Sequence, residues 1–113
     1  LLNTNPGEAR IFYNLGRVAS LSAQTVTDEE AQKGKLLEAK VAYENVIRMA
    51  QRQQVDPALV SLSYVAIGKI YEYYEERATA VSIYDAAIKI GDVSGGAFKE
   101  AIAAKQRLMK ELQ

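Results

Sequence analysis

Any chemistry in this chain falls to carboxylates, lysines, arginines and tyrosines, because its 113 residues contain no Cys and no His. That removes disulfides, thiolate nucleophiles, imidazole bases and the usual zinc and haem ligands together. Among the groups that remain, Glu72, Glu75 and Glu76 cluster beside Arg77. Two of these carboxylates lie one helical turn apart, and such a pair can raise one pKa and supply a general acid. The stronger reading is a solvated, charged helix end. Gly95-Gly96 ahead of a helix would offer an anion the free N–H groups of a first turn. It lacks the preceding strand and the Lys-Ser/Thr pair of a phosphate loop, so an inter-helix turn is expected. Tyrosine supplies seven of the nine aromatic residues. Tyr13, Tyr73 and Tyr74 fall outside the apolar stripes, where amphipathic rings act either as binding anchors or as half-buried packing. No active site emerges, and the expectation is a protein that is not an enzyme and uses no metal or cofactor.

The elements that must position these side chains are helices. Hydrophobic residues make up 49% of the chain and charged residues 25%, which is the composition of a globular domain. Fourteen basic and fourteen acidic side chains cancel, so charge gives no argument for nucleic acid or a membrane surface as partner. No apolar run approaches the length of a membrane span. The length suits one small domain over 1–113. Because the chain starts at Leu1 without Met, it is read as a piece of a longer protein or a processed product.

The stretch from 64 to 90 organises the rest. Tyr64, Ile67, Gly68 and Tyr71 sit at i, i+3, i+4 and i+7, on one face of a helix. After a turn at Glu76-Arg77, Ala80, Tyr84, Ala87 and Ile88 repeat that spacing on a second helix. Small residues alternate with large ones where two antiparallel helices would touch, which predicts a close-packed hairpin. The pattern recurs upstream: Phe12, Leu15, Gly16 and Ala19 stand 52 residues before the first set. Ala39, Tyr43, Val46 and Ile47 stand 41 before the second.

Punctuation places the boundaries. Asn5-Pro6 and Asp56-Pro57 each read as a cap followed by Pro at the first helical position. Thr27-Asp28-Glu29-Glu30 resembles a capping box, so a second helix is expected from near Asp28 to about Gln53, with Ser22–Thr27 as the loop before it. Gly34 is the weak point of that helix. Gly91–Gly96 is a turn, and Phe98, Ile102, Leu108 or Met109, and Leu112 then form an amphipathic stripe with Ala101 and Ala104 alongside. Five helices result: a first hairpin over 6–53, a second over 57–91 and a closing helix over 95–112.

Together these slots resemble the tetratricopeptide repeat: aromatic, then a Leu-like residue, Gly, Tyr, Ala, Tyr and Ala, carried by Tyr64, Ile67, Gly68, Tyr71, Ala80, Tyr84 and Ala87. The resemblance covers about Pro6 to Leu112 and departs from the family in two respects. Asp92 stands where a Pro usually closes the repeat, and both offsets exceed the family period of about 34 residues. The surplus falls as 11 residues between Ala19 and Ala39 and seven between the hairpins, close to three and two helical turns.

The resemblance implies an all-α, right-handed array of antiparallel helical hairpins that acts as an interaction module or scaffold. In the family the first helix of each repeat lines a concave groove for a peptide or a partner helix. The matching slots here hold Arg10, Tyr13, Arg17, Ser20 and Leu21, then Leu62, Val65, Lys69, Glu72 and Tyr73, with Lys99, Gln106 and Arg107 from the closing helix. Arg10, Arg17, Lys69, Lys99 and Arg107 give that floor a basic character, which predicts an acidic partner or one ending in a carboxylate, anchored on Tyr13 and Tyr73. The slots of the carboxylate clamp found in some members hold Tyr13, Arg17, Ala66 and Lys99, a departure from that pattern. The alternative is self-association, with an open face pairing with another copy.

Overall fold

The structure, a computed structural model, describes residues 7–112. All regular structure among them is helical: α1 (Glu8–Thr25), α2 (Glu29–Ala50), α3 (Pro57–Tyr73), α4 (Arg77–Ile90) and α5 (Phe98–Leu112). The chain forms two compact units, Leu1–Val55 and Asp56–Gln113, and their boundary falls in the short link between the two expected hairpins. Asn5-Pro6, the expected first cap, lies outside the described residues. Within them α1 begins after Gly7, which supplies no side-chain cap.

In the first unit α1 packs along α2. Ala9, Gly16, Ala19 and Ala23 form the buried stripe of α1, facing Ala39, Tyr43 and Val46 of α2. Small residues on one side let the helices close until the ring of Tyr43 fills the space over Gly16. A Cβ there would lie 2.6 Å from the ring atom Cε1. The second unit repeats the arrangement: Tyr84 of α4 covers Gly68 of α3, and a Cβ on Gly68 would stand 2.5 Å from Tyr84 Cε1. Around Tyr84 the core gathers Val65, Ala80, Ala87, Ala97, Ala101, Ala104 and Leu108, with Tyr64, Tyr71 and Ile88 packed at its edge.

Helix ends are settled locally. Asp28 caps α2 by accepting from Ala31 N–H, and Asp56 caps α3 by accepting from Ala58 N–H, with Pro57 in the first turn. The start of α5 is capped from a distance: buried Ser61 Oγ accepts from Ala97 N–H at 2.9 Å, which ties α3 to α5. Between α3 and α4, Glu76 N–H reaches Tyr71 C=O and Glu75 N–H reaches Glu72 C=O, the paired bonds of a Schellman turn. Glu75 holds the left-handed position of that turn at φ 60°, where a side chain costs about 1–2 kcal/mol relative to Gly.

Four sequence expectations are corrected. The loop expected at Ser22–Thr27 is shorter: α1 runs on to Thr25, because Ala23 extends the buried stripe and its carbonyl accepts from Gln32 Nε2. The cap of α2 is Asp28, one residue past Thr27, because the Asp28 carboxylate reaches the third helical N–H. In α5 the buried side is Ala101, Ala104 and Leu108, whereas Met109 and Leu112 are exposed and Phe98 and Ile102 half-buried. Alanine lets the α5 backbone approach α4 closely, and that rotates the larger side chains outward. Leu15, matched in sequence to the buried Ile67, is 54% exposed.

The two glycine environments predict opposite outcomes for one substitution. Gly68→Ala places a methyl against a buried, hydrogen-bonded ring and should cost about 1–3 kcal/mol of overpacking, only partly offset by helix propensity, and Gly68→Leu should cost more. Nothing lies within 4 Å of a Cβ at Gly34, so Gly34→Ala should stabilise by about 0.5–1 kcal/mol. Urea unfolding of the three variants checks both signs; equal effects of Ala at 68 and 34 would refute the close approach of α3 and α4.

Candidate functional site

The expected groove residues of the second unit are tied to acidic side chains. Lys69 Nζ lies 2.5 Å from Glu100 Oε2. Arg107 donates from both terminal nitrogens to Glu72, at 2.9 and 3.0 Å, and Tyr84 OH donates to the same carboxylate at 2.5 Å. Glu111 joins from the next turn of α5, pairing with Arg107 and Arg77. Val65 is part of the buried core and reaches no groove. Tyr73 is exposed and meets Tyr74 edge-on, with ring centres 5.1 Å apart. Lys99 is exposed on α5. On α1, Arg10 and Arg17 are exposed and seven residues apart on one side, while Tyr13 is half-buried against the ring of Tyr43 at 5.8 Å.

The Glu72 cluster is therefore a brace and not an acid–base pair: Glu75 and Glu76 are exposed in the turn, and Glu72 alone is drawn inward. Burial opposes its charge, yet the bonds from Arg107 and Tyr84 and the nearby charges of Arg107 and Lys69 hold its carboxyl below the ordinary value. The Tyr84 hydroxyl moves the other way, raised first by burial and then by its bond to Glu72. Tyr43 is also raised by burial, with its weaker contact to Ser20 at 3.4 Å working against that shift. Glu72 thus ties Tyr84 of α4 and Arg107 of α5 to α3. Among the described residues no group of three or more metal-ligating side chains converges, and no helix is long and apolar enough to cross a membrane.

A feature that the sequence did not announce lies on the first unit. Along α1, Ile11, Leu15 and Val18 form an outward stripe, and Leu37 and Val41 do the same on α2, each leaving 45% to 62% of its surface open. Between the two helices runs an apolar groove lined by Phe12, Leu15, Val18, Leu37 and Val41, floored by Ala19 and Ala42 and notched at Gly34. The rim is polar, with Lys35, Glu38 and Asn45. The signal was present in the repeat. The positions matched to Leu37 and Val41 in the second hairpin are Ala78 and Ser82, exposed residues of ordinary surface character.

Linkage gives the brace a two-sided pH signature. Glu72, with a lowered value, contributes stability that is in place above its unfolded value of about 4.3 and lost as pH falls through the lower folded value. Tyr84, with a raised value, contributes stability that is complete below its unfolded value of about 10 and declines as pH rises beyond it. Tyr84→Phe should cost about 1.5–3 kcal/mol at neutral pH, the usual range for a hydrogen bond to a charged group, and flatten the alkaline limb. Arg107→Leu should flatten the acid limb instead. Denaturant titrations from pH 3 to pH 11 read both limbs; unchanged limbs in both variants would show that the brace does not form in solution.

No family model, curated protein or solved structure matches the chain.

Proposed function

We propose that the chain is a non-enzymatic protein-interaction module, built as a right-handed array of tetratricopeptide-like hairpins, whose first hairpin receives an apolar helix or peptide. The observation that carries this reading is the open aliphatic face of α1 and α2. Contiguous apolar patches on monomers seldom exceed about 300–600 Å², and the four half-exposed aliphatics that line the groove, Leu15, Val18, Leu37 and Val41, reach that range with Ile11 beside them. A partner helix would insert side chains spaced at i, i+3 and i+4 between the two stripes, with Gly34 allowing close approach. Arg10 and Arg17, exposed on the side of α1, favour an acidic segment and make its association salt-dependent. In the second unit Lys69 and Arg107 are already occupied by Glu100 and Glu72.

The test is loss of partner with retention of fold. Leu15→Asp together with Leu37→Asp changes two exposed positions, so helical content and melting temperature should stay close to wild type. Binding of a partner through this face should fall at least about 100-fold, given about 1.5–3 kcal/mol for each buried aliphatic lost. Partners retained equally by wild type and double variant would move the binding surface elsewhere.

A further inference from the structure

We infer that the occupant of the open face on α1 and α2 is a second copy of this chain, packed with its α2 antiparallel to the first about a two-fold axis level with Ala39. The inference rests on the reading of that face as a binding surface, and it is argued from the order of side chains along α2. The outward side of α2 carries Glu30, Leu37, Val41 and Arg48, at spacings of seven, four and seven. Glu30 and Arg48 are exposed at opposite ends, and the apolar pair stands between them. Positions 30 and 48 are equidistant from 39, and so are 37 and 41. When a helix pairs antiparallel with its own copy across a two-fold, each residue meets the one placed symmetrically on the other side of the axis. Leu37 then packs on Val41 of the second copy, and Glu30 faces Arg48, each contact occurring twice.

The other charges of this helix segment are matched inside it. Lys33 pairs with Glu29, Lys35 with Glu38 and Lys40 with Glu44. Arg48 donates one bond to Asn45 Oδ1 and has further guanidinium donors for a carboxylate. The area is sufficient: each half-exposed aliphatic leaves about 100 Å² open, so two faces with their polar rims cover about 1,200–1,600 Å², the size of a stable interface. Gly34 fits the same picture. Its place within α2 costs helix stability, nothing in the chain lies within 4 Å of a Cβ there, and a facing helix gains close approach. A net charge of zero removes long-range repulsion between copies.

Sedimentation equilibrium of the full chain tests the pairing, with circular dichroism as the check on fold. The expected result is a monomer–dimer equilibrium whose dissociation constant rises at least about 10-fold in Leu37→Asp. Glu30→Arg alone and Arg48→Glu alone should each weaken the dimer about 10-fold, since every copy of the pair becomes repulsive. The double variant Glu30→Arg, Arg48→Glu should restore it. A chain monomeric up to about 1 mM, a dimer indifferent to Leu37→Asp, or a double variant no tighter than the singles would each overturn the inference. A monomeric chain that still loses a heterologous partner in the Leu15→Asp, Leu37→Asp variant sinks the second copy alone. Retention of every partner by that variant instead removes the binding face itself.

Discussion

A tyrosine ring laid on a glycine is the constraint from which both hairpins follow. Tyr43 over Gly16 and Tyr84 over Gly68 each require a backbone with no side chain at the crossing. Each also needs a partner helix close enough that its ring is excluded from water. Once the ring is seated, its hydroxyl must find a partner, because a buried phenol without one is costly. In both hairpins the partner is the residue four past the glycine, Ser20 in α1 and Glu72 in α3. One interaction thus sets the distance between helices, their relative rotation and the fate of a polar atom.

The two hairpins diverge at that fourth residue. Ser20 meets Tyr43 at 3.4 Å and asks for nothing more. Glu72 brings a charge toward the core edge, and a half-buried carboxylate needs further donors. Arg107 supplies two of them from α5, in the planar, bidentate geometry that suits guanidinium and carboxylate. Docking of α5 is therefore coupled to the seat of Tyr84, with Ser61 at the other end of the helix holding Ala97 N–H. Lys69–Glu100 and Lys105–Asp85 also join α5 to α3 and α4, but these single contacts near the surface count for less, because water screens them.

Much of this was legible in the sequence. Periodicity and punctuation located five helices and both hairpins, since Asp56-Pro57, Gly91 and the repeated Gly and Tyr positions are local signals of local structure. Side-chain rotation was legible less often. The stripe Phe98, Ile102, Leu108 or Met109, and Leu112 reads as the buried side of α5 with Ala101 and Ala104 alongside. Yet only Leu108 of that stripe is buried, together with the two alanines, because the gain from close backbone approach depends on the partner helix and not on α5 itself. Likewise the basic character of the groove slots was apparent in Lys69 and Arg107, whereas their neutralisation by Glu100 and Glu72 depends on α3 and α5 meeting in space. Sequence spacing within one element cannot carry that information.

The contrast between equivalent positions also separates a surface that is merely apolar from one that is kept so. On α4 the exposed positions Ala78 and Ser82 are small or polar, at no cost to the hairpin they belong to. The matching positions of α2 carry Leu37 and Val41, and the matching stripe of α3 runs Ser63, Ile67 and Ile70, all buried, against the open Ile11, Leu15 and Val18 of α1. If the first hairpin needed only to fold, small or polar residues at 37 and 41 would serve it as they serve α4. Large aliphatics there raise the free energy of the solvated chain, by about 25 cal/mol for each Å² of apolar surface left in water, and nothing within the hairpin recovers it. Recovery requires another apolar surface, and α2 turned end for end presents one whose apolar middle and charged ends match its own.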